Sequence, residues 1–106
     1  MANPMKKLIK TIPLIAALGL LSGCGGPDEY TPGAGMSGTD IFTVACQSCH
    51  GEAGQGKFGF LLKIAGDAHS VAEIADKVRD GGFVMPSFPN IGDKERQALA
   101  EYIRAQ

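Results

Sequence analysis

Apolar residues recur at helical spacing in three stretches of the chain, and each stretch begins at a signal for a helix start. The first signal is Ser37, which stands three residues before Asp40 in a capping-box spacing. The helix that it opens is predicted to run to about Cys46 and to have an apolar face that includes Phe42. Because Phe42 lies four residues before Cys46, both side chains project from one side of the helix. We therefore expect Phe42 to pack near whatever group Cys46 holds.

Two further helices are predicted in the second half of the chain. Ser70 and Glu73 form another capping-box spacing, and the pair of glycines at 81–82 ends the apolar period that follows. The last helix is predicted to start near Gly92 or Asp93, with Asp93 supplying the capping side chain. Its apolar stripe consists of Ala98, Leu99, Tyr102 and Ile103. No stretch has the two-residue period of a strand, so the sequence predicts an all-α fold with three or more helices.

The first 23 residues have the order of an export signal. Three lysines precede the apolar run from Ile12 to Leu21, which is too short for a membrane-spanning helix and contains Pro13. The run ends in small residues before Cys24, and this ending resembles the lipobox of bacterial lipoproteins. The resemblance implies that residues 1–23 are removed and that Cys24 is acylated. The alternative is an ordinary signal peptide, after which Cys24 remains a free thiol.

Residues 24–36 are predicted to form the acylated N-terminus and a linker. The stretch from Gly25 to Gly35 contains Gly and Pro throughout and has no hydrophobic period, which is typical of a flexible tether. The alternative is an ordered coat in which Tyr30 packs on the domain. In either case residues 37–106 are predicted to form the folded domain.

Composition and charge narrow the class of protein. A chain of 106 residues has room for one domain, and its 15 glycines and lack of Trp indicate a small, loop-rich fold whose core a cofactor or crosslink supplements. After residues 1–23 are removed, seven basic and eleven acidic residues remain, which gives a net charge of −4. This charge argues against a nucleic-acid partner. Contact with a membrane is expected through the lipid anchor.

The strongest chemical signal is the run Cys46-Gln47-Ser48-Cys49-His50. Two thiols at this spacing can add to the two vinyl groups of haem, and the adjacent histidine then stands beneath the iron. Thiol redox chemistry also uses two cysteines at this spacing, but in a βαβ context that the chain lacks. A zinc site would require further ligands, and His69 is the only other histidine. We therefore predict one covalently attached haem c.

The iron needs a second axial ligand, and two methionines remain after export. Met36 lies just before the first helix, whereas Met85 lies in a loop from which it can approach the opposite face of a haem. Pro86 biases Met85 towards an extended conformation and stiffens that loop. His69 is the rival ligand, although an exposed histidine before the Ser70 cap is also consistent with its position. The aromatic residues nearest Met85, which we expect to wall the pocket, are Phe83 and Phe88.

These features together resemble a class I c-type cytochrome over residues 35–106. The residues that carry the resemblance are Gly38, Phe42, Cys46, Cys49, His50, Gly51, Met85, Pro86, Leu99 and Tyr102. The resemblance implies that the first and last helices cross, that haem lies between them, and that His50 and Met85 are its axial ligands. It also implies that Gly38 and Phe42 meet Leu99 and Tyr102.

The loop after the haem histidine departs from the family pattern. Its glycine-rich stretch, residues 51–59, is followed by Phe60, where members often have Gly-Pro with a carbonyl that orients the histidine. Another backbone carbonyl can accept from the Nδ1–H of His50, and the sequence leaves its identity open. Lys57 and Lys63 in this loop form either a small docking patch for an acidic partner or an ordinary solvated surface.

The predicted function is that of a monohaem c-type cytochrome, which moves single electrons between redox partner proteins. It is expected to be tethered to a membrane in the bacterial cell envelope, facing the periplasm or the exterior, and Gly25 is compatible with sorting to an outer membrane. With both axial positions taken, neither enzymatic activity nor a small-molecule substrate is expected. Two alternatives are a haem-based sensor with a labile distal ligand and the electron-transfer subunit of a larger oxidoreductase complex.

Overall fold

The computed structural model describes residues 26–106, which form four α-helices. These are α1 (Gly38–Ala45), α2 (Gln47–His50), α3 (Val71–Asp80) and α4 (Asp93–Arg104), with 3₁₀ turns at Pro27–Glu29 and Glu52–Gly54. Extended pairing in these residues is limited to one bridge between Lys57 and Leu61. The all-α prediction is confirmed. The predicted signal peptide, residues 1–23, and the lipidation site Cys24 lie outside the described residues.

Helices α1 and α3 begin at the predicted caps. The Ser37 hydroxyl accepts a hydrogen bond from the Asp40 N–H at 3.1 Å. Ser70 and Glu73 bond reciprocally, since the Ser70 hydroxyl accepts from the Glu73 N–H and the Glu73 carboxylate accepts from the Ser70 N–H. Each bond satisfies a backbone N–H that has no partner within the helix. This explains why α1 and α3 begin at these positions.

The start of α4 differs from the sequence prediction. Gly92 is its N-cap and offers no side-chain hydrogen bond, so the expectation that Asp93 caps the helix is wrong. The Asp93 carboxylate instead pairs with the guanidinium of Arg96, one turn further along. Arg96 is buried and also donates to the Ile91 carbonyl at 3.3 Å. Because a buried cation requires a counter-charge, Arg96 takes the carboxylate that the helix start would otherwise use.

Helices α1 and α4 cross at a point of very close approach. A methyl group on Gly38 would lie 2.2 Å from the carbonyl oxygen of Ala98 and 2.9 Å from the Cβ of Tyr102. The Phe42 ring packs on that of Tyr102, with centroids 5.3 Å apart and planes tilted by 52°. Only glycine at position 38 lets the backbones approach this closely. The contacts of Gly38 and Phe42 with α4 confirm the crossing that the family resemblance implied.

The core is formed by this crossing together with α3, which also packs on α4. Its buried apolar residues come from three helices and from the loop before α4: Ile41, Phe42, Cys46, Ile74, Val78, Phe88, Ile91, Leu99, Ala100 and Ile103. None of the helices described in residues 26–106 is long and apolar enough to cross a membrane.

The stretch before α1 contacts the domain at several points. The side-chain amide of Asn90 donates to the Asp28 carbonyl at 2.7 Å. Tyr30 is half-buried against the core, and its hydroxyl lies 3.7 Å from the sulfur of Met36. These contacts agree with the alternative in which Tyr30 packs on the domain. The predicted division of the chain at residues 23 and 36 stays a prediction.

Candidate functional site

Two adjacent cavities share a wall made of residues that the sequence singled out. The cavities have volumes of about 140 Å³ and about 260 Å³. Cys46, His50 and Met85 border both of them, whereas Cys49 borders only the larger. The four predicted site residues are thus brought together, although 35 positions separate His50 from Met85 along the chain.

The two cavities differ in the charge of their linings. The smaller cavity has an apolar wall of Ile64, Ile74, Val78 and Ile103. Charged or titratable side chains also border it: Asp67, His69, Glu73 and Lys77. Apart from the shared residues and Cys49, the larger cavity is lined by apolar residues alone: Ala45, Leu62, Val84, Pro86 and Phe88. A planar apolar group with charged substituents on one edge would therefore find polar partners only at the smaller cavity.

The two thiols are presented by a single helical turn. Cys46 caps the end of α1, where its N–H donates to the Phe42 carbonyl at 2.9 Å, and α2 begins at the next residue. Cys46 is buried, Cys49 is exposed, and both are free thiols. Three residues apart, the two side chains lie near one another along one side of the turn.

Burial governs the chemistry of the Cys46 thiol. Removal from solvent, with a smaller contribution from neighbouring Cys49, raises the pKa of Cys46 to about 12. Thiol–disulfide exchange and metal binding both require the thiolate, so a thiol with this pKa is poorly suited to either. In addition, no three His, Cys, Asp or Glu side chains among residues 26–106 form a group that could hold a metal ion. The burial of the Cys46 thiol therefore argues against the thiol-redox alternative.

The imidazole of His50 is oriented by a backbone carbonyl. Its Nδ1 lies 2.8 Å from the carbonyl oxygen of Leu62, which is the acceptor that the sequence left open. Because a carbonyl only accepts, Nδ1 bears the hydrogen and Nε2 keeps its lone pair for a metal. The loop between the two residues is closed by a 2.6 Å bond from the Gly56 N–H to the His50 carbonyl. Sequence reasoning missed Leu62 because any residue type offers the same carbonyl.

The loop that bears Met85 is folded back on the end of α3. The Gly82 N–H donates to the Met85 carbonyl at 2.9 Å, and the Phe88 N–H donates to the Val78 carbonyl at 2.9 Å. Gly81 ends α3 with φ of +72°, and a methyl group there would lie 2.8 Å from the Met85 carbonyl oxygen. A glycine at position 81 is thus required both by the left-handed conformation and by the close approach of the loop.

Of the two aromatic residues predicted to line the pocket, one does so. Phe88 is buried and borders the larger cavity. Phe83 is fully exposed, so the expectation that it walls the pocket is wrong. The physical reason is the hydrogen bond between Gly82 and Met85, which makes a turn with Phe83 and Val84 at its tip.

His69 lies at the rim of the smaller cavity and does not border the larger one. Its ring Nδ1 pairs with the Asp67 carboxylate, which also accepts from the His69 N–H at 2.8 Å. These hydrogen bonds, that from the backbone N–H foremost, lower the pKa of Asp67 below its ordinary value. The pairing holds His69 in the turn before α3, consistent with the exposed histidine that the sequence allowed.

Comparison with known proteins gives concordant findings. The family model described as cytochrome c oxidase, cbb3-type, subunit III matches residues 33–103. Cytochrome c-550 of Bacillus subtilis (strain 168) is 44% identical over 54 residues, which are 51% of this chain and 45% of that protein. The chain thus spans less than half the length of this curated relative.

Two solved structures are similar over the described domain. Cytochrome c6C from Synechococcus sp. PCC 7002 is 26% identical, with a TM-score of 0.56 over 65% of this chain and 92% of that one. The c-type cytochrome KustC0563 is 23% identical, with a TM-score of 0.57 over 66% of this chain and 96% of that one, and its likeness concerns the fold alone.

Proposed function

Because the chain belongs to the c-type cytochrome family described as subunit III of cbb3-type cytochrome c oxidase, we propose that it is a membrane-tethered one-electron carrier. In this proposal Cys46 and Cys49 hold the haem, and His50 and Met85 are the axial ligands of its iron. The observation that supports it most is that Cys46, His50 and Met85 border both of two adjoining cavities. Family membership further implies that the cofactor is covalently bound haem c.

The residues around the cavities fit haem c. The apolar linings suit the macrocycle, and the only cysteines in residues 26–106 border the larger cavity. Charged side chains border the smaller cavity alone. Cys46 and Cys49 would form the two thioether bonds to the haem vinyl groups, and Lys77 would offer a cation to the haem carboxylates.

When bound, haem c supplies an iron that changes between the ferric and ferrous states by one electron. The Leu62 carbonyl holds His50 in one tautomer and orientation, so its Nε2 is available to the metal. The turn anchored at Gly81 holds Met85 at the wall between the cavities. A thioether ligand favours the ferrous state compared with a second imidazole, so the reduction potential is expected at the oxidising end of the haem range.

Two axial protein ligands, His50 and Met85, favour a protein that carries electrons and does not catalyse a reaction. With His50 and Met85 as its two axial ligands, the iron would have no position for a substrate, and the described residues would act by orienting these ligands and excluding water. The similar proteins found by comparison are named as cytochromes of the c type. The partners are proposed to be redox proteins that give and take one electron at a time.

The tether is proposed from the sequence pattern before Cys24, which lies outside the described residues. An acyl group on Cys24 would hold the domain at the outer side of the cytoplasmic membrane or at an outer membrane. Since Asp28 and Tyr30 already contact the domain, few residues would separate the lipid from the folded part. Cys24→Ser should release the haem-loaded protein from the membrane fraction. Retention of this variant in the membrane fraction would contradict the proposed anchor.

The absorption spectrum of the haem-loaded protein tests the ligand assignment. We expect a far-red sulfur-to-iron band that Met85→Ala abolishes and no response of the native reduced protein to carbon monoxide. Met36→Ala is the matched control, because Met36 is the other methionine in residues 26–106 and borders neither cavity. Loss of the band in Met36→Ala, or in His69→Ala with Met85→Ala unaffected, would contradict the assignment. Carbon monoxide binding by the native protein would favour the haem-based sensor.

A second candidate is the electron-transfer subunit of a larger oxidoreductase complex. The description of the matching family as a subunit of an oxidase favours it. Both candidates use the same site, and they differ in whether the domain diffuses on its tether. Mild detergent extraction followed by size separation distinguishes them, since a fixed subunit should migrate with a larger assembly and a free carrier as a single small protein.

A further inference from the structure

Residues 26–36, which precede α1, lie against the domain, and we call them the strap. This stretch has Gly and Pro throughout, and the structure places them in defined turns. Pro27 is the first residue of a 3₁₀ turn that backbone hydrogen bonds close. Gly35, with φ of +74°, stands in a second turn, in which the Met36 N–H donates to the Gly33 carbonyl at 3.0 Å. The composition that indicates a flexible tether thus forms an ordered segment.

Two side chains of the domain hold the strap near its two ends. Asn90, in the loop before α4, donates from its side-chain amide to the Asp28 carbonyl at 2.7 Å. Glu95, in the first turn of α4, accepts from the Gly35 N–H at 2.9 Å. This bond is the first cause of a lowered pKa at Glu95, so the carboxylate is ionised at neutral pH and the bond is charge-assisted. Both ends of the strap are therefore attached to residues 90–95.

The strap also packs on the core through two side chains. Tyr30 and Met36 are half-buried against the core residues, and the Tyr30 hydroxyl lies 3.7 Å from the Met36 sulfur. Burial, with a smaller contribution from Cys46, raises the pKa of Tyr30. Neither of these side chains borders a cavity, and nor do Asn90 and Glu95. The contacts of the strap therefore do not involve the walls of the cavities.

The charge of the strap does not favour binding to an anionic membrane surface. It contains two exposed acids, Asp28 and Glu29, and neither lysine nor arginine. Basic residues draw a segment beside a lipid anchor onto anionic headgroups, whereas acidic residues are repelled by them. The domain offers the strap two hydrogen bonds and an apolar surface. The domain is therefore the better partner for the strap.

The docked strap determines how far the domain can move from an acyl group on Cys24. Four residue steps join Cys24 to Asp28, which a side chain of the domain already holds, and they span at most about 14 Å. With the strap released, 13 steps would join Cys24 to Ser37 and span at most about 45 Å. The contacts of the strap thus shorten the reach of the domain about threefold.

We propose that the strap stays docked in the mature protein and confines the domain close to the lipid surface, where its partners are redox proteins bound to the same membrane. The inference rests on the proposed function, from which it takes the acyl anchor and the haem. A domain confined near the surface meets such partners at a higher effective concentration than a domain on a long tether. Partner groups that stand far from the lipid lie outside its reach.

Amide hydrogen exchange tests the docking on the ferrous, haem-loaded protein without its acyl group. We expect the Gly35 N–H to exchange at least about tenfold more slowly than in an unstructured chain, since it donates to Glu95. Asn90→Ala/Glu95→Ala removes both side-chain partners of the strap and should remove this protection. Gln97→Ala/Glu101→Ala is the matched control, because it removes an amide and a carboxylate that pair with each other on α4. Thermal unfolding is measured for each variant.

Neutron reflectometry tests the reach of the acylated, haem-loaded protein on supported bilayers of phosphatidylglycerol and phosphatidylethanolamine. We expect a gap of at most about 15 Å between the headgroups and the domain of the native protein. Asn90→Ala/Glu95→Ala should widen this gap or broaden the protein layer by at least about 10 Å, whereas the control should match the native protein. In membrane vesicles of its own cell, re-oxidation of the reduced haem should be at least about twofold slower in the variant.

The outcomes separate this inference from the function on which it rests. Exchange of the native Gly35 N–H at the rate of an unstructured chain would overturn the inference, as would a gap that the double variant leaves unchanged. Re-oxidation at the native rate in the variant, despite a wider gap, would overturn the assignment of partners. Failure of the acylated native protein to bind the bilayer, with Gly35 protected, would instead contradict the proposed anchor. Absence of re-oxidation in the native protein would contradict the proposed electron carrier.

Discussion

The crossing of α1 and α4 and the loops around the two cavities are built in different ways. At the crossing, Gly38, Phe42 and Leu99 are buried, and the ring of Phe42 packs directly on Tyr102. The loop between α2 and α3 instead contains every left-handed residue other than glycine in the described part of the chain: Ala53, Phe58 and Leu62. Side-chain packing stabilises the crossing, whereas backbone hydrogen bonds shape the loops.

This difference indicates what each region depends on. At the crossing, buried side chains of the two helices pack directly on one another, so no further group is needed to fill it. The loops border cavities of about 140 and about 260 Å³, and they hold His50 and Met85 in position for a group that the protein does not itself supply. Changes at the crossing should therefore affect stability first, and changes in the loops should affect the haem first.

The largest effect is expected from Gly38→Val. The added Cβ would meet the Ala98 carbonyl oxygen at 2.2 Å, and the helices can relieve this clash only by separating. We expect the free energy of unfolding to fall by about 3 kcal/mol or more, measured by denaturant unfolding of the haem-loaded protein. Gly33→Ala is the control, since a methyl group at position 33 meets nothing within 4 Å. Equal stability of the two variants would contradict the close crossing.

Gly81→Ala is expected to lower stability less than Gly38→Val and, in addition, to disturb the ligation of the haem iron by Met85. Position 81 has φ of +72°, and a methyl group there would lie 2.8 Å from the Met85 carbonyl oxygen. We expect a loss of about 2 kcal/mol in unfolding free energy together with weakening of the far-red band, because the turn bearing Met85 must move. The neighbouring change Gly82→Ala meets only the flexible side chain of Lys77 and should leave the band intact. A normal band in Gly81→Ala would show that Met85 does not depend on this turn.

The carbonyl of Leu62 can be tested by changing the backbone around it. Leu62→Pro is incompatible with φ of +60° and should displace the carbonyl from His50, whereas Leu62→Gly adopts that conformation freely. A hydrogen bond at Nδ1 makes the imidazole a better donor to iron and favours the ferric state. Such a bond is worth about 0.5 to 1.5 kcal/mol, and only the difference in its strength between the two oxidation states changes the potential, so its loss should raise the reduction potential by at most about 65 mV. Redox titration should show the rise for proline and a smaller shift for glycine.

The smallest effect is expected on stability at acidic pH, through the capping residues of α3. Hydrogen bonds with Ser70 lower the pKa of Glu73 below its ordinary value. A carboxylate with a lowered pKa in the folded state stabilises the protein above its unfolded pKa of about 4.3, and this contribution is lost as pH falls through the folded pKa. Glu73→Gln should therefore show a smaller loss of stability than the native protein between about pH 5 and pH 3. Thermal unfolding at several pH values measures it, and Ser70→Ala should reduce the same slope.

Several features of the fold could be predicted from sequence because they depend on neighbours along the chain. The hydroxyl of Ser70 and the carboxylate of Glu73 reach each other within one helical turn, so their spacing is sufficient to predict the cap. The same holds for the spacing of Cys46, Cys49 and His50, which predicted a haem motif that the family match supports. The distance between residues within one helical turn follows from helix geometry, so the spacing of residue types in the sequence is sufficient to predict such contacts.

The partners and the exposure of the loop residues could be learned only from the tertiary structure. That the Leu62 carbonyl accepts from His50, that Phe83 points into solvent and that buried Arg96 takes the Asp93 carboxylate are results of how the loops fold and of which side chains become buried. Backbone carbonyls are the same in every residue, and a carboxylate at a helix start serves a cap or a buried cation equally well. The sequence by itself thus determined helices α1, α3 and α4, the caps of α1 and α3, and the haem motif. Only the tertiary structure decided which partner each of these groups found, because that choice depends on how the loops close and on which side chains the fold buries.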